Sequence, residues 1–338
     1  MSASVPRRIV EALVRPLEPE RARALEARWA SLPAALRTPF QVFGRKTTGC
    51  AATIGMHPRC DFACRGCYLG TEANRVPPLP VGAIEAQLRE IRGWTGPKGN
   101  VQFTDGEVTL RDPAELQALL RYARAIDLVP MLMTHGDSFR RRPGLLESLL
   151  VEGELEAISL HIDTTQRGRV GFQHPKDERA LDPLREEFAA LIRTARRTTG
   201  RSIRVAATMT VTRENLSQVG ATVAWYARNR DVFRMVSLQP VADVGRTETS
   251  LQPVAVDDVW VDVGRALAPF TGTPHLEFPI TMGHPACNRF ASFLTLTWKS
   301  RPHADVFLPA LRANEPRDAA LAQRLSRLPL TGVAYRDR

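Results

Sequence analysis

Three thiols sit close enough along the chain to share a metal: Cys60, Cys64 and Cys67, in the run Cys60-Asp61-Phe62-Ala63-Cys64-Arg65-Gly66-Cys67-Tyr68. Thiolates are the usual ligands of iron–sulfur clusters. Three of them on one short loop can hold three irons of a 4Fe–4S cluster and leave the fourth iron open. The competing metal is zinc, which takes four Cys or His ligands in a tetrahedron. Cys50 or His57 could complete such a set. Zinc sites more often pair C-x2-4-C with a second, distant pair, and this sequence has none. Its 5 cysteines in 338 residues are too few, and odd in number, for a secreted disulfide scaffold.

The C-x3-C-x2-C spacing resembles the signature of the radical S-adenosylmethionine (radical SAM) superfamily. That resemblance implies one 4Fe–4S cluster on Cys60, Cys64 and Cys67, with S-adenosylmethionine chelating the open iron. One electron then splits the sulfonium and releases a 5′-deoxyadenosyl radical. Later motifs resemble the family's in order. Thr104-Asp105-Gly106-Glu107 is similar to Gly-Gly-Glu, with Asp105 in place of the first glycine, and implies that Gly106 and Glu107 grip the cofactor's amino group. Met133-Thr134-His135-Gly136 resembles Thr-Asn-Gly, which gives Thr134 the cofactor carboxylate and puts His135 in the Asn place. Ser159-Leu160-His161-Ile162-Asp163 resembles Ser-Leu-Asp, with Ser159 on the methionine or ribose and His161 where an acid is usual.

Thr208 and Thr210 precede Thr212-Arg213-Glu214-Asn215, which resembles the family's strand-to-helix turn. Ser237-Leu238-Gln239-Pro240, followed by Gly245-Arg246, is similar to a branch holding the molybdenum-cofactor cyclase, peptide maturases and the archaeal lipid-coupling enzyme. There Thr208 and Gln239 belong to the cofactor side, and Arg246 to the substrate side. Many members carry an aromatic just before the third cysteine. Here that place is Gly66, and Tyr68 is the candidate to contact adenine. His135, His161 and Cys287 are the candidate catalytic residues. Imidazole can bond a substrate or move a proton near neutral pH, and a thiol can donate a hydrogen atom.

The elements that must position these residues alternate. Short apolar runs predict strands at Thr48–Met56, Asn100–Thr104, Val129–Thr134, Ala157–Ile162, Ile203–Val211 and Phe233–Gln239. Three- and four-residue apolar spacing predicts helices at Ala83–Trp94, Pro113–Ala125, Gly144–Val151, Leu184–Thr198 and Asn215–Asn229. Regular alternation of this kind predicts parallel βαβ units, and six of them an α/β fold: a partial (β/α)6 TIM-like barrel. The resemblance implies the same fold. Its chemistry belongs on loops at the C-terminal strand ends, where every motif above falls. We expect an N-terminal helical extension (1–44), the barrel (45–245) and a C-terminal extension covering the barrel mouth (246–338). The last contains a helix near Asp257–Leu267 and an apolar Phe278–Met282 segment, then a proline-spaced tail.

Composition narrows the partners. The apolar fraction of 43% is that of a globular chain with a core. No apolar run is long enough to span a bilayer. Charge throughout Met1–Arg15 argues against a signal peptide, so a cytoplasmic location is expected. The net charge of +10 comes from arginines spread along the chain, with lysine only at Lys46, Lys98, Lys176 and Lys299. It reads as a solvated basic surface, and nucleic acid is not expected as a partner. The partners expected are a one-electron reductant such as flavodoxin or ferredoxin, and a substrate that the sequence does not identify. The alternative function is a zinc-binding protein with a basic nucleic-acid-binding surface.

Overall fold

A computed structural model of the chain describes residues 19–38, 41, 51–276, 283–284, 286–296, 305–312 and 315–325. Cys50 and the apolar Phe278–Met282 segment lie outside the described residues, as do residues 1–18 of the expected N-terminal extension.

Six strands, β1 (Ala52–His57), β2 (Gly99–Asp105), β3 (Leu128–Thr134), β4 (Ala157–His161), β5 (Arg204–Val211) and β6 (Phe233–Pro240), form one sheet in the order of the chain. The sheet is parallel and open, in the manner of a partial TIM-like barrel. Register fixes who faces whom: Met133 lies opposite Ser159, His161 opposite Thr208, and Thr210 opposite Gln239.

Helices cross between successive strands: α2 (Val81–Thr95), α3 (Pro113–Ala125), α4 (Asp137–Arg141), α5 (Leu145–Val151), α6 (Asp182–Thr199) and α7 (Val219–Arg228), after an earlier α1 (Pro19–Ser31). Local chemistry sets their ends. The Asp112 carboxylate caps α3, accepting from Ala114 N at 2.9 Å and Glu115 N at 3.1 Å, and Pro113 follows at the first helical position. Gly200, at φ 64°, ends α6 in the left-handed conformation. Helical spacing then buries Leu116, Leu119, Leu120 and Ala123 on one face of α3, and Leu184, Phe188 and Ile192 on one face of α6.

Strand alternation divides the sheet into two faces. Ile54, Met56, Val101, Phe103, Ile158, Leu160, Val205, Ala207 and Met209 are buried in the apolar core. The opposite face carries Gly55, Gln102, Thr104, Met131, Met133, Ser159, His161, Thr208, Thr210, Ser237 and Gln239. This second face is polar and partly open, and it holds most of the motif residues.

The described residues fall into two compact units. The larger comprises Thr53–Glu90 and Val101–Leu267, and the smaller takes Ile91–Asn100 with the described residues of the two chain ends. The smaller unit contains structure that the sequence did not predict: an antiparallel pair, β7 (Phe293–Leu296) with β8 (Val306–Pro309), in which Leu294 faces Leu308. Four-residue strands are too short to display a period. Two further α-helices follow β6, α8 (Val256–Thr271), where a helix was expected near Asp257–Leu267, and α9 (Pro316–Leu325). The short α4 was also not predicted. It opens at Gly136, whose φ of 79° turns the chain immediately after β3. No helix among the described residues is long and apolar enough to cross a membrane.

Candidate active site

The cysteine loop leaves β1 at His57 and is tied down from four directions. Beside β2, Gly106 N donates to His57 O at 2.9 Å and Glu107 N to Arg59 O at 2.8 Å. A Cβ on Gly106 would lie 2.2 Å from the Arg59 carbonyl oxygen. The backbone that requires this glycine is therefore the approach to Cys60. Beyond β4, Ala63 N donates to Arg167 O at 3.0 Å and Arg65 N to Thr165 O at 2.8 Å. Beyond β6, Arg246 N donates to Leu69 O at 2.8 Å and Cys67 O at 3.0 Å, and Glu248 N to Arg65 O at 2.8 Å. The Arg65 guanidinium grips Glu214 with two bonds, of 2.6 and 2.9 Å, and Glu248 with one of 2.8 Å. Beyond β3, His135 and Arg141 both bond the Asp61 carboxylate. Arg246, expected on the substrate side, also donates from Nη2 to Phe62 O at 3.2 Å and so clamps the loop.

Burial pushes the Cys60 and Cys64 thiols up to about 12. For Cys64 the nearby Asp163 charge acts in the same direction. A metal binds these groups as thiolates, so its binding must displace their protons. This donor set fits a thiolate-ligated cluster. A tetrahedral zinc would gather its sulfurs to about 3.8 Å of one another. Among the described residues, the one group of three or more candidate ligands within 4.8 Å is Cys60, Asp61 and His135, not the three cysteines. In that group His135 Nδ1 accepts from Asp137 N at 3.0 Å, so the ring proton is on Nε2, pointing at Asp61. A nitrogen that carries its proton is no metal ligand.

Glu107 is 1% exposed and joins the ends of β2 and β3. Its carboxylate accepts from Thr109 N at 3.1 Å, the Thr109 hydroxyl, Thr134 Oγ1 at 2.6 Å and His135 N at 2.8 Å. Thr134 Oγ1 in turn accepts from Gly136 N at 2.8 Å. His135 is buried, with its ring flat against Phe62. The structure thus turns Glu107, Thr134 and His135 toward one another and toward the cysteine loop.

The open face differs. Ser159 Oγ and Thr208 Oγ1 are 2.8 Å apart across β4 and β5. His161 Nε2 lies 2.5 Å from Asp163 Oδ2 and 3.2 Å from Thr210 Oγ1. Asp163 is fully buried. Burial opposes its charge, but His161, Thr165 and the Thr210 N–H hold its carboxyl below the ordinary value. Gln239 Nε2 donates to Ser237 Oγ at 3.3 Å. Tyr68 is 57% exposed and donates its hydroxyl to Asp105 O at 2.6 Å. A Cβ at Gly66 would lie 3.3 Å from Thr210 Cγ2 and 3.4 Å from Val241 Cγ2, so the position before the third cysteine packs closely against the β5 and β6 ends. Cys287 is exposed and belongs to the smaller unit.

Four participants escaped sequence reasoning: Asp61, Phe62, Arg169 and the acid partner of His161. Asp61 and Phe62 lie inside the cysteine motif, where the x positions drew no notice. Asp163 was visible two residues after His161. Arg169, buried in the loop after β4, left no sequence signal.

With this geometry in place, comparison with known proteins is direct. The profile of the Radical SAM superfamily matches residues 54–226, just over half of the chain. The chain belongs to that superfamily. It is 25% identical over 205 residues to the 7,8-dihydro-6-hydroxymethylpterin dimethyltransferase of Methanocaldococcus jannaschii, covering 60% of this chain and 38% of that protein. The chain thus spans well under half the length of this relative. Among solved structures, native anSMEcpe with bound AdoMet and the Cp18Cys peptide aligns at TM-score 0.47 and 13% identity, over 65% of this chain and 58% of that one. A histidine-tagged form of anSMEcpe with bound AdoMet aligns at 0.45 and 13%, over 64% and 57%.

Proposed function

We propose that Cys60, Cys64 and Cys67 hold one 4Fe–4S cluster at which S-adenosylmethionine is reductively cleaved, and that the enzyme takes a hydrogen atom from a small-molecule, lipid or peptide substrate. The observation that carries this reading is the cysteine loop itself: three thiols on one short span, clamped by backbone hydrogen bonds at the C-terminal ends of parallel strands. When bound, the cluster would deliver one electron to the sulfonium and release a 5′-deoxyadenosyl radical; that chemistry belongs to the cofactor.

The chain's own residues bind, orient and seal. Gly106, Glu107 and Thr134 set the strand ends against which the cofactor's methionine end rests. Tyr68, the Ser159–Thr208 hydroxyl pair and Gln239 line the open face and bond its ribose and adenine. His161 keeps Nε2 on Asp163, which leaves Nδ1 for the substrate. A flavodoxin- or ferredoxin-like donor supplies the electron.

The test is anaerobic reconstitution with iron and sulfide, followed by dithionite, S-adenosylmethionine and quantification of 5′-deoxyadenosine. Wild-type protein should turn brown and form it, and Cys64→Ala should do neither. Failure of the wild type to bind iron, or equal product from Cys64→Ala, overturns the reading.

A further inference from the structure

Between Cys60 and Cys64 the loop carries Phe62, and three residues, His135, Asp137 and Arg169, close a circuit around that ring. The His135 imidazole stacks on it with centroids 3.7 Å apart and planes 4° apart. The buried Arg169 guanidinium lies over the same ring at 5.1 Å from its centroid. Arg169 Nη1 donates to Asp137 Oδ1 at 3.2 Å, and Asp137 N donates to His135 Nδ1 at 3.0 Å. That last bond leaves the imidazole proton on Nε2, which faces Asp61 Oδ1 at 2.9 Å and Glu107 Oε2 at 3.3 Å. Arg141 bonds the other oxygen of the same Asp61 carboxylate. A His135 ring nitrogen, an Asp61 oxygen and Cys60 Sγ all lie within 4.8 Å of one another.

We propose that His135 is a positioning residue for the cluster: through Phe62 and Asp61 it fixes the Cys60–Cys64 span, and so the placement of two of the three thiolates. The proposal rests on the cluster reading above. Its physical basis is that a loop ligand is held only as firmly as its neighbours. Partners behind the ligating residues commonly change metal affinity or activity about 10- to 100-fold when removed. Here one ring contributes both a flat apolar contact and an N–H aimed at the residue next to Cys60. A histidine turned toward the substrate would need a free nitrogen, and His135 has both engaged.

The experiment compares wild type, His135→Ala, His135→Gln and Phe62→Leu after identical anaerobic reconstitution. It reads bound iron, the electron paramagnetic resonance spectrum of the dithionite-reduced protein, and the rate of iron loss to a chelator. His135→Ala should lose iron about ten times faster and show a changed spectrum. His135→Gln, which keeps an N–H donor, should recover part of the loss. Phe62→Leu removes the stack from the loop side and should move both readouts in the same direction; it decides the matter should His135→Ala not fold. Wild-type spectra and iron loss in His135→Ala, or in Phe62→Leu alone, overturn the proposal. Absence of iron from the wild type would instead overturn the cluster reading.

Discussion

Gly106 and Arg59 meet backbone to backbone, with room for a hydrogen on the glycine and for nothing larger: a Cβ there would lie 2.2 Å from the Arg59 carbonyl oxygen and 2.5 Å from that of Pro58. The two residues sit on different motifs, one leading to the first cysteine and the other directly after β2. Gly106→Ala should therefore push the cysteine loop away from the strand ends. We expect a loss of about 1–3 kcal/mol, the usual range for overpacking, together with reduced iron uptake. Urea denaturation of the iron-free protein and iron analysis after reconstitution measure the two effects separately.

Glu107 accepts from four donors in a site closed to solvent. Glu107→Ala leaves the N–H groups of Thr109 and His135 without an acceptor, at about 1–3 kcal/mol each. A total loss of about 3 kcal/mol is expected. A denaturation midpoint within error of wild type would show that the carboxylate does not hold β2 and β3 together.

Asp105 stands at φ 110°, where side chains are rarely accommodated, and in the place of the family's first glycine. Asp105→Gly should relieve that conformation and stabilise the iron-free protein by about 1 kcal/mol. The Tyr68 hydroxyl bond runs to the Asp105 carbonyl, not its side chain, and survives the change. A lower melting temperature would contradict this.

Asp163 contributes to the pH dependence of stability. Its carboxyl is held below the ordinary value in the fold, so its ionised form stabilises the protein above about pH 4, the unfolded value. That contribution is lost as pH falls through the lower, folded value. Asp163→Asn should cost about 2 kcal/mol at pH 7, and the gap between variant and wild type should narrow below about pH 4. A gap that stays constant from neutral pH down through the folded value would refute the assignment.

The cysteines should separate cleanly. Cys60→Ser, Cys64→Ser and Cys67→Ser should each sharply reduce bound iron. Cys287→Ser, at an exposed position in the smaller unit, should leave iron content unchanged, so that any effect on substrate turnover reports on the thiol alone. Iron loss in Cys287→Ser would make it a ligand.

Much of this protein was legible in its sequence because the relevant signals are local. Thiol spacing along one loop, apolar runs of strand length and helical spacing between them are all set within about twenty residues. The six strands appear within a few residues of where those patterns place them. The site's wiring is different, because it depends on contacts between distant segments: Asp61 with His135 across 74 residues, Arg65 with Glu248 across 183. The two histidines show the difference most clearly. Both follow strand motifs, and their sequences suggest equal roles. His161 is the last residue of β4 and keeps the parity of Ser159, so strand alternation turns it to the open face. His135 lies one residue beyond β3, where alternation has ended and Gly136 reverses the chain. Its direction was decided by the ring of Phe62 and the carboxylates of Asp61 and Glu107, which only the folded chain brings to it.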